Sequence, residues 1–183
     1  MTETPAALYL KDSQEQFRQL KKLAERALAQ VRDEDLFASL DAEANSLAVL
    51  LQHVGGNLRS RFTDFLTSDG EKPDRDRDSE FAVRPGATRD DLLARWNDGW
   101  ERLLAALATL TEEDLARTVA IRGEPHTVVR AIDRSLTHVA YHVGQIVLLA
   151  KHWSAATWQT LSVPRGGSRE HNARMLGSAN SPR

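Results

Sequence analysis

The segment VVRAIDRSLTHVAYHVGQIVLL, residues 128–149, decides the fold class. His138 and His142 lie four residues apart within it, and a buried helix gains little from two imidazoles that have nothing to bond. The pair therefore points to a site. The apolar side chains around it recur at spacings of three or four, which is the period of one face of an α-helix. The pattern predicts a helix over residues 126–153 that buries Val128, Ile132, Leu136, Val139, Val143, Ile146 and Leu149.

Three earlier segments repeat the same apolar period. Thr4 can cap a first helix that has Pro5 at its first position. A second helix is predicted for residues 40–66, and Thr88 can cap a third helix. Four long amphipathic helices, without any alternation of strands and helices, favour an all-α fold of the four-helix bundle type.

The segments between and after the helices are rich in Gly, Pro and charged residues. Residues 67–87, TSDGEKPDRDRDSEFAVRPGA, are predicted to form a long loop between helices two and three. Residues 162–176 are predicted to form an appended segment on the surface, and residues 177–183 a disordered tail. Residues 1–176 are then expected to form one domain.

Composition excludes several classes of function. The chain has 24 Lys and Arg against 26 Asp and Glu, so no basic excess indicates a nucleic-acid partner. It has no cysteine, which excludes disulfides, thiolate metal ligands and cysteine nucleophiles. The first residues lack the basic and apolar regions of a secretory signal, and the longest apolar stretches are interrupted before membrane-spanning length. A cytoplasmic protein without membrane or nucleic-acid partners is predicted.

The two histidines of the fourth helix have the spacing of a metal-binding pair. Positions four apart differ by about 40° around a helix axis, so both rings point the same way and can converge on one ion. His53, beside the apolar stripe of the second helix, is the candidate third ligand. A buried pair bonded to backbone or water is the alternative, and the spacing alone leaves it open.

The other histidines are poor candidates for the same site. His152 follows His142 by ten residues, about 15 Å along a helix, and His126 precedes His138 by twelve. Neither can share the ion. His171 lies in the appended segment, where nothing fixes its position.

Polar residues and glycines near the histidines are candidates for supporting roles. Asn57 follows His53 by four residues and Gln145 follows His142 by three, so each can hydrogen-bond a metal ligand or a substrate, with a solvated position as the alternative. Gly55 and Gly56 each cost a helix about 1 kcal/mol relative to alanine. That cost indicates close helix packing or space for a ligand, with a simple kink as the alternative.

The stretch EKPDRDRDSEF, residues 71–81, alternates in charge and is called the 71–81 loop below. Its Arg75 and Arg77 can bind an anionic substrate group, because a guanidinium matches the geometry of a carboxylate or phosphate. The functional interpretation is a lid over the site. The alternative is a solvated loop with local ion pairs of little value.

Three strings extend the pattern beyond single residues. They are HVGGNLRSRFTDFLTSDGEKPDRDRDSEF, IRGEPHTVVRAIDRSLTHVAYHVGQIVLLAKHW and TLSVPRG. Over about residues 5–175 the chain resembles the DinB-like superfamily of bacterial metal-binding bundles, in an uncharacterised branch that is a domain of unknown function. The resemblance implies a bundle with a divalent metal bound by His53, His138 and His142.

The resemblance also narrows the chemistry. Related members include transferases and isomerases that use bacillithiol or mycothiol, with nickel or zinc at the three-histidine site. Three functions remain open: a metal-dependent thiol S-transferase or hydrolase acting on a small molecule, a non-catalytic metal-binding or stress-response protein, and a structural homodimer whose histidines are merely packed.

Overall fold

A computed structural model describes residues 2–179 and shows a mainly helical chain with one small two-stranded sheet. The predicted all-α class is therefore correct for most of the chain. The α-helices of the described residues are α1 (Pro5–Leu28), α2 (Leu47–Phe62), α3 (Arg89–Thr109), α4 (Val128–Trp153) and α5 (Ser168–Ala179), and the strands are β1 (Thr118–Ile121) and β2 (Glu124–Thr127).

The helices begin where the sequence provides caps. The side chain of Thr4 accepts a hydrogen bond from the Ala7 N–H, with Pro5 in the first turn. Thr88 and Asp91 form a reciprocal capping box at the start of α3, as the predicted cap requires. α4 is capped by Thr127 and begins one residue later, two residues after its predicted start.

α2 is shorter than its predicted range of residues 40–66. Ser46 caps it, and the Asp41 side chain holds the preceding residues in a turn that competes with helix. At the other end, Thr63 has extended backbone angles and Asp64 has a φ of 48°, which ends the helical path. Local polar side chains therefore override the apolar period at both ends.

The hairpin formed by β1 and β2 is absent from the sequence prediction. Its strands are antiparallel, with Val119 opposite His126, and a two-residue turn at Arg122 and Gly123 joins them. Both turn residues have positive φ, 57° and 75°, as a tight hairpin turn requires. The Asp69 carboxylate accepts hydrogen bonds from both of their N–H groups, which fixes the turn to the start of the long loop.

The core lies between the four long helices. α2 packs against α3 and α4, and α1 packs against α4 and α3. Phe17 of α1 meets Trp100 of α3 edge to face, with 6.3 Å between ring centroids, and both side chains are fully buried. Within the described residues, no helix is both long and apolar enough to cross a membrane.

Helices α2 and α3 touch through their backbones. A Cβ atom on Gly99 would lie 2.4 Å from the Gly55 carbonyl oxygen, and a Cβ on Gly55 would lie 2.6 Å from the Arg95 carbonyl oxygen. Neither backbone can move away without separating the helices. Close helix packing, one of the three interpretations of the glycine pair, therefore explains Gly55.

The C-terminal segment follows the end of α4 along α1. Arg26 and Gln30 of α1 donate hydrogen bonds to the backbone carbonyls of Leu161 and Gln159. α5 then occupies Ser168–Ala179 and its described side chains are mostly exposed. The predicted tail, residues 177–183, begins inside this helix, and residues 180–183 lie outside the described part.

Candidate metal centre

His53 of α2 and the pair His138 and His142 of α4 lie together inside the fold. The Nε2 atom of His138 lies 3.2 Å from that of His53 and 3.1 Å from that of His142. One ligand atom from each of the three residues lies within 4.8 Å of the others. The structure thus brings together all three residues predicted as metal ligands.

Each ring reaches this point because of its place on its helix. His138 and His142 project from successive turns of α4 and meet edge to face, with 4.6 Å between centroids. α2 packs beside α4 and presents His53 to both, at 5.2 Å and 4.9 Å between centroids. His53 and His142 are buried and His138 is partly buried.

The hydrogen bond behind His53 fixes which of its nitrogens faces the cluster. Its Nδ1 lies 2.9 Å from Oε2 of Glu80, and an ionised carboxylate can only accept. Nδ1 therefore carries the proton, and Nε2 presents a lone pair toward the other two histidines.

His142 has the same arrangement with a neutral partner. Its Nδ1 lies 2.8 Å from Oε1 of Gln145, while the Gln145 amide nitrogen donates to the Tyr141 hydroxyl at 3.4 Å. Nδ1 donates to the amide oxygen, so Nε2 again presents a lone pair to the cluster. Gln145 thus lies where the sequence prediction placed a partner for His142.

His138 has the least satisfied ring of the three. Its Nε2 lies between two lone pairs, and a single N–H there can satisfy only one of them. Its Nδ1 is buried without a hydrogen-bond partner among the described residues. For three imidazoles on a tetrahedral ion with bonds of about 2.0–2.1 Å, neighbouring nitrogens would lie about 3.3–3.4 Å apart. The observed separations of 3.1 and 3.2 Å fit that donor set closely.

Burial keeps the imidazoles of α4 neutral. Desolvation, reinforced by the neighbouring rings of His142 and His53, lowers the pKa of His138 to about 3. Desolvation also lowers the pKa of His142 below its ordinary value. Neutral imidazoles are the form that binds metal, so neither residue needs to lose a proton at neutral pH.

Glu80, which the sequence interpretation missed, is bound on two sides. Its carboxylate accepts from His53 and, in a bidentate pair, from Nε and Nη2 of Arg75 at 2.8 Å each. Burial alone would raise the pKa of Glu80, but the hydrogen bonds from His53 and Arg75 outweigh it and hold that pKa below its ordinary value. The direct sequence signal for Glu80 was its position in the charged 71–81 loop.

Arg75 belongs to a longer chain of charges. Glu71 accepts from Arg75 at 3.2 Å and from Arg61 of α2 at 2.9 Å. Glu71 also pairs with Arg122 at the hairpin turn, at 3.1 Å. The Arg75 side chain is 5% exposed, so its guanidinium is committed to carboxylates of this chain rather than open to an anionic ligand.

The end of the 71–81 loop lies against the histidines. The Phe81 ring is tilted over the His53 ring, with 4.8 Å between centroids, and the Arg77 guanidinium lies 4.9 Å from the Phe81 centroid. Arg77 is about half exposed and its nearest carboxylate, that of Asp78, is 3.9 Å away. Of the two predicted anion-binding arginines, only Arg77 keeps its charge accessible.

The remaining predicted neighbours differ in their surroundings. Asn57 is half-buried, and its side chain makes no hydrogen bond within residues 2–179. His126 is buried in the hairpin, where it contacts the Glu124 carbonyl and Arg134. His152 is exposed and lies against the Trp153 ring. Neither of these two histidines joins the cluster.

A cavity of about 630 Å³ lies on the other side of α2, between α2, α3 and the 71–81 loop. Gly56, Arg95 and Glu80 are among the residues that line it, and none of the three clustered histidines does. Glu80 therefore separates this cavity from His53.

The comparisons with known proteins bear on the family alone. A family model described as "Protein of unknown function (DUF1572)" matches residues 4–167. This match confirms the expectation of an uncharacterised domain family. The comparison with curated proteins finds no match.

Proposed function

Because the chain belongs to the DUF1572 family, whose function is unknown, we propose a function from the site itself. The protein binds one divalent metal ion, nickel or zinc, through His53, His138 and His142, and it is a metal-dependent enzyme. The observation that carries the proposal is the convergence of three Nε2 atoms, two of them with lone pairs directed inward by Glu80 and Gln145.

Three protein ligands leave a coordination position for a substrate or water, which is the pattern of catalytic rather than structural sites. An ion in such a site supplies Lewis acidity, which lowers the pKa of a thiol or water bound to it. The chain contains no cysteine, so a thiol nucleophile has to come from a small molecule. We infer a thiol S-transferase, with a hydrolase as the other outcome of the same site.

In this proposal, other residues of the chain orient the histidine rings and bind the substrate. Glu80 and Gln145 keep protons on the outer nitrogens of His53 and His142. Phe81 covers one side of His53, and the accessible charge of Arg77 is available to an anionic group of the substrate. The packing of α2 against α4 supports a DinB-like four-helix bundle as the finer description of the fold.

Metal binding is tested first. The purified protein, stripped with a chelator, is titrated with Zn²⁺ and with Ni²⁺, and one ion per chain is expected. A triple variant, His53→Ala with His138→Ala and His142→Ala, is the matched control. Failure of the wild type to bind, or equal binding by the triple variant, would overturn the site.

Catalysis is tested next on the metal-loaded protein. Low-molecular-weight thiols are offered together with electrophilic acceptors, and simple esters and amides are offered in water. Consumption of thiol that requires both metal and His138 supports the transferase. Turnover without a thiol supports the hydrolase.

A second candidate, a non-catalytic metal-binding protein, is favoured by one observation. His53 and His142 are only 5% and 7% exposed, and the 630 Å³ cavity does not reach them. Titration of the Co²⁺-substituted protein with a small thiol separates the two candidates. A change in the visible spectrum indicates an accessible coordination position, and an unchanged spectrum favours the non-catalytic role.

The expectations about partners and location stay predictions. A homodimer is tested by light scattering of the purified protein, and the cytoplasmic location by fractionation of the source cells.

A further inference from the structure

We propose that Glu80, held by Arg75, is the positioning residue for His53: it fixes the ring's tautomer and direction so that Nε2 can serve as a metal ligand. The proposal rests on the proposed metal site. It assigns a role to the 71–81 loop besides that of a lid, because Glu80 contacts Nδ1 of His53, whereas Nε2 of that ring faces His138.

The contacts of the Glu80 carboxylate have little freedom. Oε2 accepts from His53 Nδ1 at 2.9 Å and from Arg75 Nη2 at 2.8 Å, while Oε1 accepts from Arg75 Nε at 2.8 Å. Gln52 of α2 donates to the Glu80 backbone carbonyl at 3.3 Å. Side chain and backbone are thus both held against the helix that carries His53.

The stability of the loop does not explain why Glu80 is buried. A buried carboxylate loses its hydration and is tolerated only when other groups supply hydrogen bonds in place of water. Arg75 replaces it on one side, and Glu71 in turn binds Arg75 and Arg61. Such a set of buried charges is weak evidence for stability, but it holds one carboxylate oxygen in a defined place beside an imidazole.

Gly56 is an independent observation that points the same way. A Cβ atom at this position would lie 2.4 Å from Oε1 of Glu80 and 2.9 Å from its Cδ. The glycine, which is destabilising inside a helix relative to alanine, makes room for this carboxylate. Gly55 next to it has a different reason, the backbone contact with α3, so the two adjacent glycines serve two different neighbours.

The three histidines are supported unequally as a result. His53 has an ionised partner, His142 has the neutral amide of Gln145, and the Nδ1 of His138 has no partner within the described residues. A carboxylate that accepts from the outer nitrogen of an imidazole makes the inner nitrogen more basic and orients the ring. His53 therefore has the most firmly oriented ring of the three, although a different helix contributes it.

The test uses three variants of the full chain and measures Zn²⁺ affinity by competition with a chromophoric chelator. Glu80→Gln removes the charge with little change of shape, and Gly56→Ala leaves the glutamate in place but pushes its carboxylate away. Asp78→Asn is the matched control, because it removes a carboxylate from the same loop at a site that is 98% exposed. The expected loss of affinity is about 10- to 100-fold for E80Q and a smaller loss for G56A, with D78N within about twofold of the wild type.

A second readout needs no metal. Nitrogen-15 NMR of the histidines in the metal-free protein should show His53 protonated on Nδ1 in the wild type. If the wild type binds Zn²⁺ and E80Q binds it with the same affinity, the positioning role is overturned. A His53 that carries its proton on Nε2 would also overturn it. Neither result would contradict the metal site. A wild type that binds no metal would overturn both, so the two failures are distinguishable.

Discussion

The two faces of α2 are built on opposite principles. Toward α3, Gly55 and Gly99 bring the backbones into contact, and Trp96 and Trp100 of α3 are fully buried. Toward α4, His53 faces two further imidazoles, and polar nitrogens occupy positions where apolar side chains would stabilise the fold more. One face gains stability from close packing, and the other gives up some of it to bring three imidazoles together.

Neighbouring residues of one helix can therefore have separate roles. Gly55 and Gly56 look alike in the sequence, yet the first meets the backbone of α3 and the second meets the carboxylate of Glu80. Variants on the α3 face should therefore change the free energy of unfolding, and variants on the α4 face should change metal affinity.

The largest effect is expected from single histidine variants. His138→Ala and His142→Ala should each lower Zn²⁺ affinity by more than about 100-fold. Replacing a residue that only hydrogen-bonds a metal ligand already lowers metal affinity by about 10- to 100-fold. His152→Ala and His126→Ala are the controls and should retain wild-type affinity. An equal loss in all four, measured by competition titration, would mean that the histidines act through folding and would erase the contrast between the two faces.

Gly99→Ala should give the largest change in stability. The added Cβ would lie 2.4 Å from the Gly55 carbonyl oxygen and 2.9 Å from its Cα, and backbone atoms cannot turn away. A loss of about 3 kcal/mol in the free energy of unfolding is expected, at the upper end for overpacked cores. Urea denaturation of the metal-free protein measures it.

Gly144→Ala is the matched control for that experiment. It also lies inside a helix, but nothing stands within 4 Å of the added Cβ. It should stabilise the protein by up to about 1 kcal/mol through helix propensity alone. Destabilisation by both variants to the same extent would contradict the assignment of Gly99 to backbone contact.

Acid should lower the free energy of unfolding of the metal-free protein through His138 of α4. The pKa of His138 is lowered from its ordinary value of 6.5 to about 3 in the folded state, so the unfolded chain takes up the proton first as the pH falls. This difference in pKa leaves the free energy of unfolding unchanged above pH 6.5 and lowers it progressively between pH 6.5 and about 3. Urea midpoints at pH 7.5 and 5 should therefore differ, and less so in His138→Gln. The same drop in that variant would assign the effect to other groups.

The smallest effect is expected at the accessible arginine. Arg77→Ala should weaken binding of an anionic thiol by about two- to fivefold, as for a half-exposed charge, and should leave metal content unchanged. Loss of metal in this variant would instead point to a structural role for the contact between Arg77 and Phe81.

The parts of the molecule that could be predicted are those set by local periodicity. The spacing of His138 and His142 fixes their common direction, and the apolar period of α2 places His53 near the core. The hairpin was missed because its strands have four residues each and its turn residues, Arg122 and Gly123, give a weak signal. Short segments of this kind are held by tertiary contacts.

Glu80 could not be predicted for a different reason. It lies 27 residues after His53, and only the path of the loop brings the two together. The sequence did carry one trace of it in Gly56, whose cost to the helix called for an explanation. That trace indicates that something approaches α2 closely, but it does not identify the carboxylate.

A chain of ion pairs connects the tip of the hairpin to the histidine cluster. Arg122 contacts Glu71, which binds Arg75, which binds Glu80 and so reaches His53. If these ion pairs couple the two ends, the coupling is reciprocal, and an ion that orders His53 also orders the tip. Amide hydrogen exchange at Arg122 and Gly123 would then slow when metal binds, although neither residue is a ligand. The hairpin would act as an allosteric reporter of the occupancy of the centre.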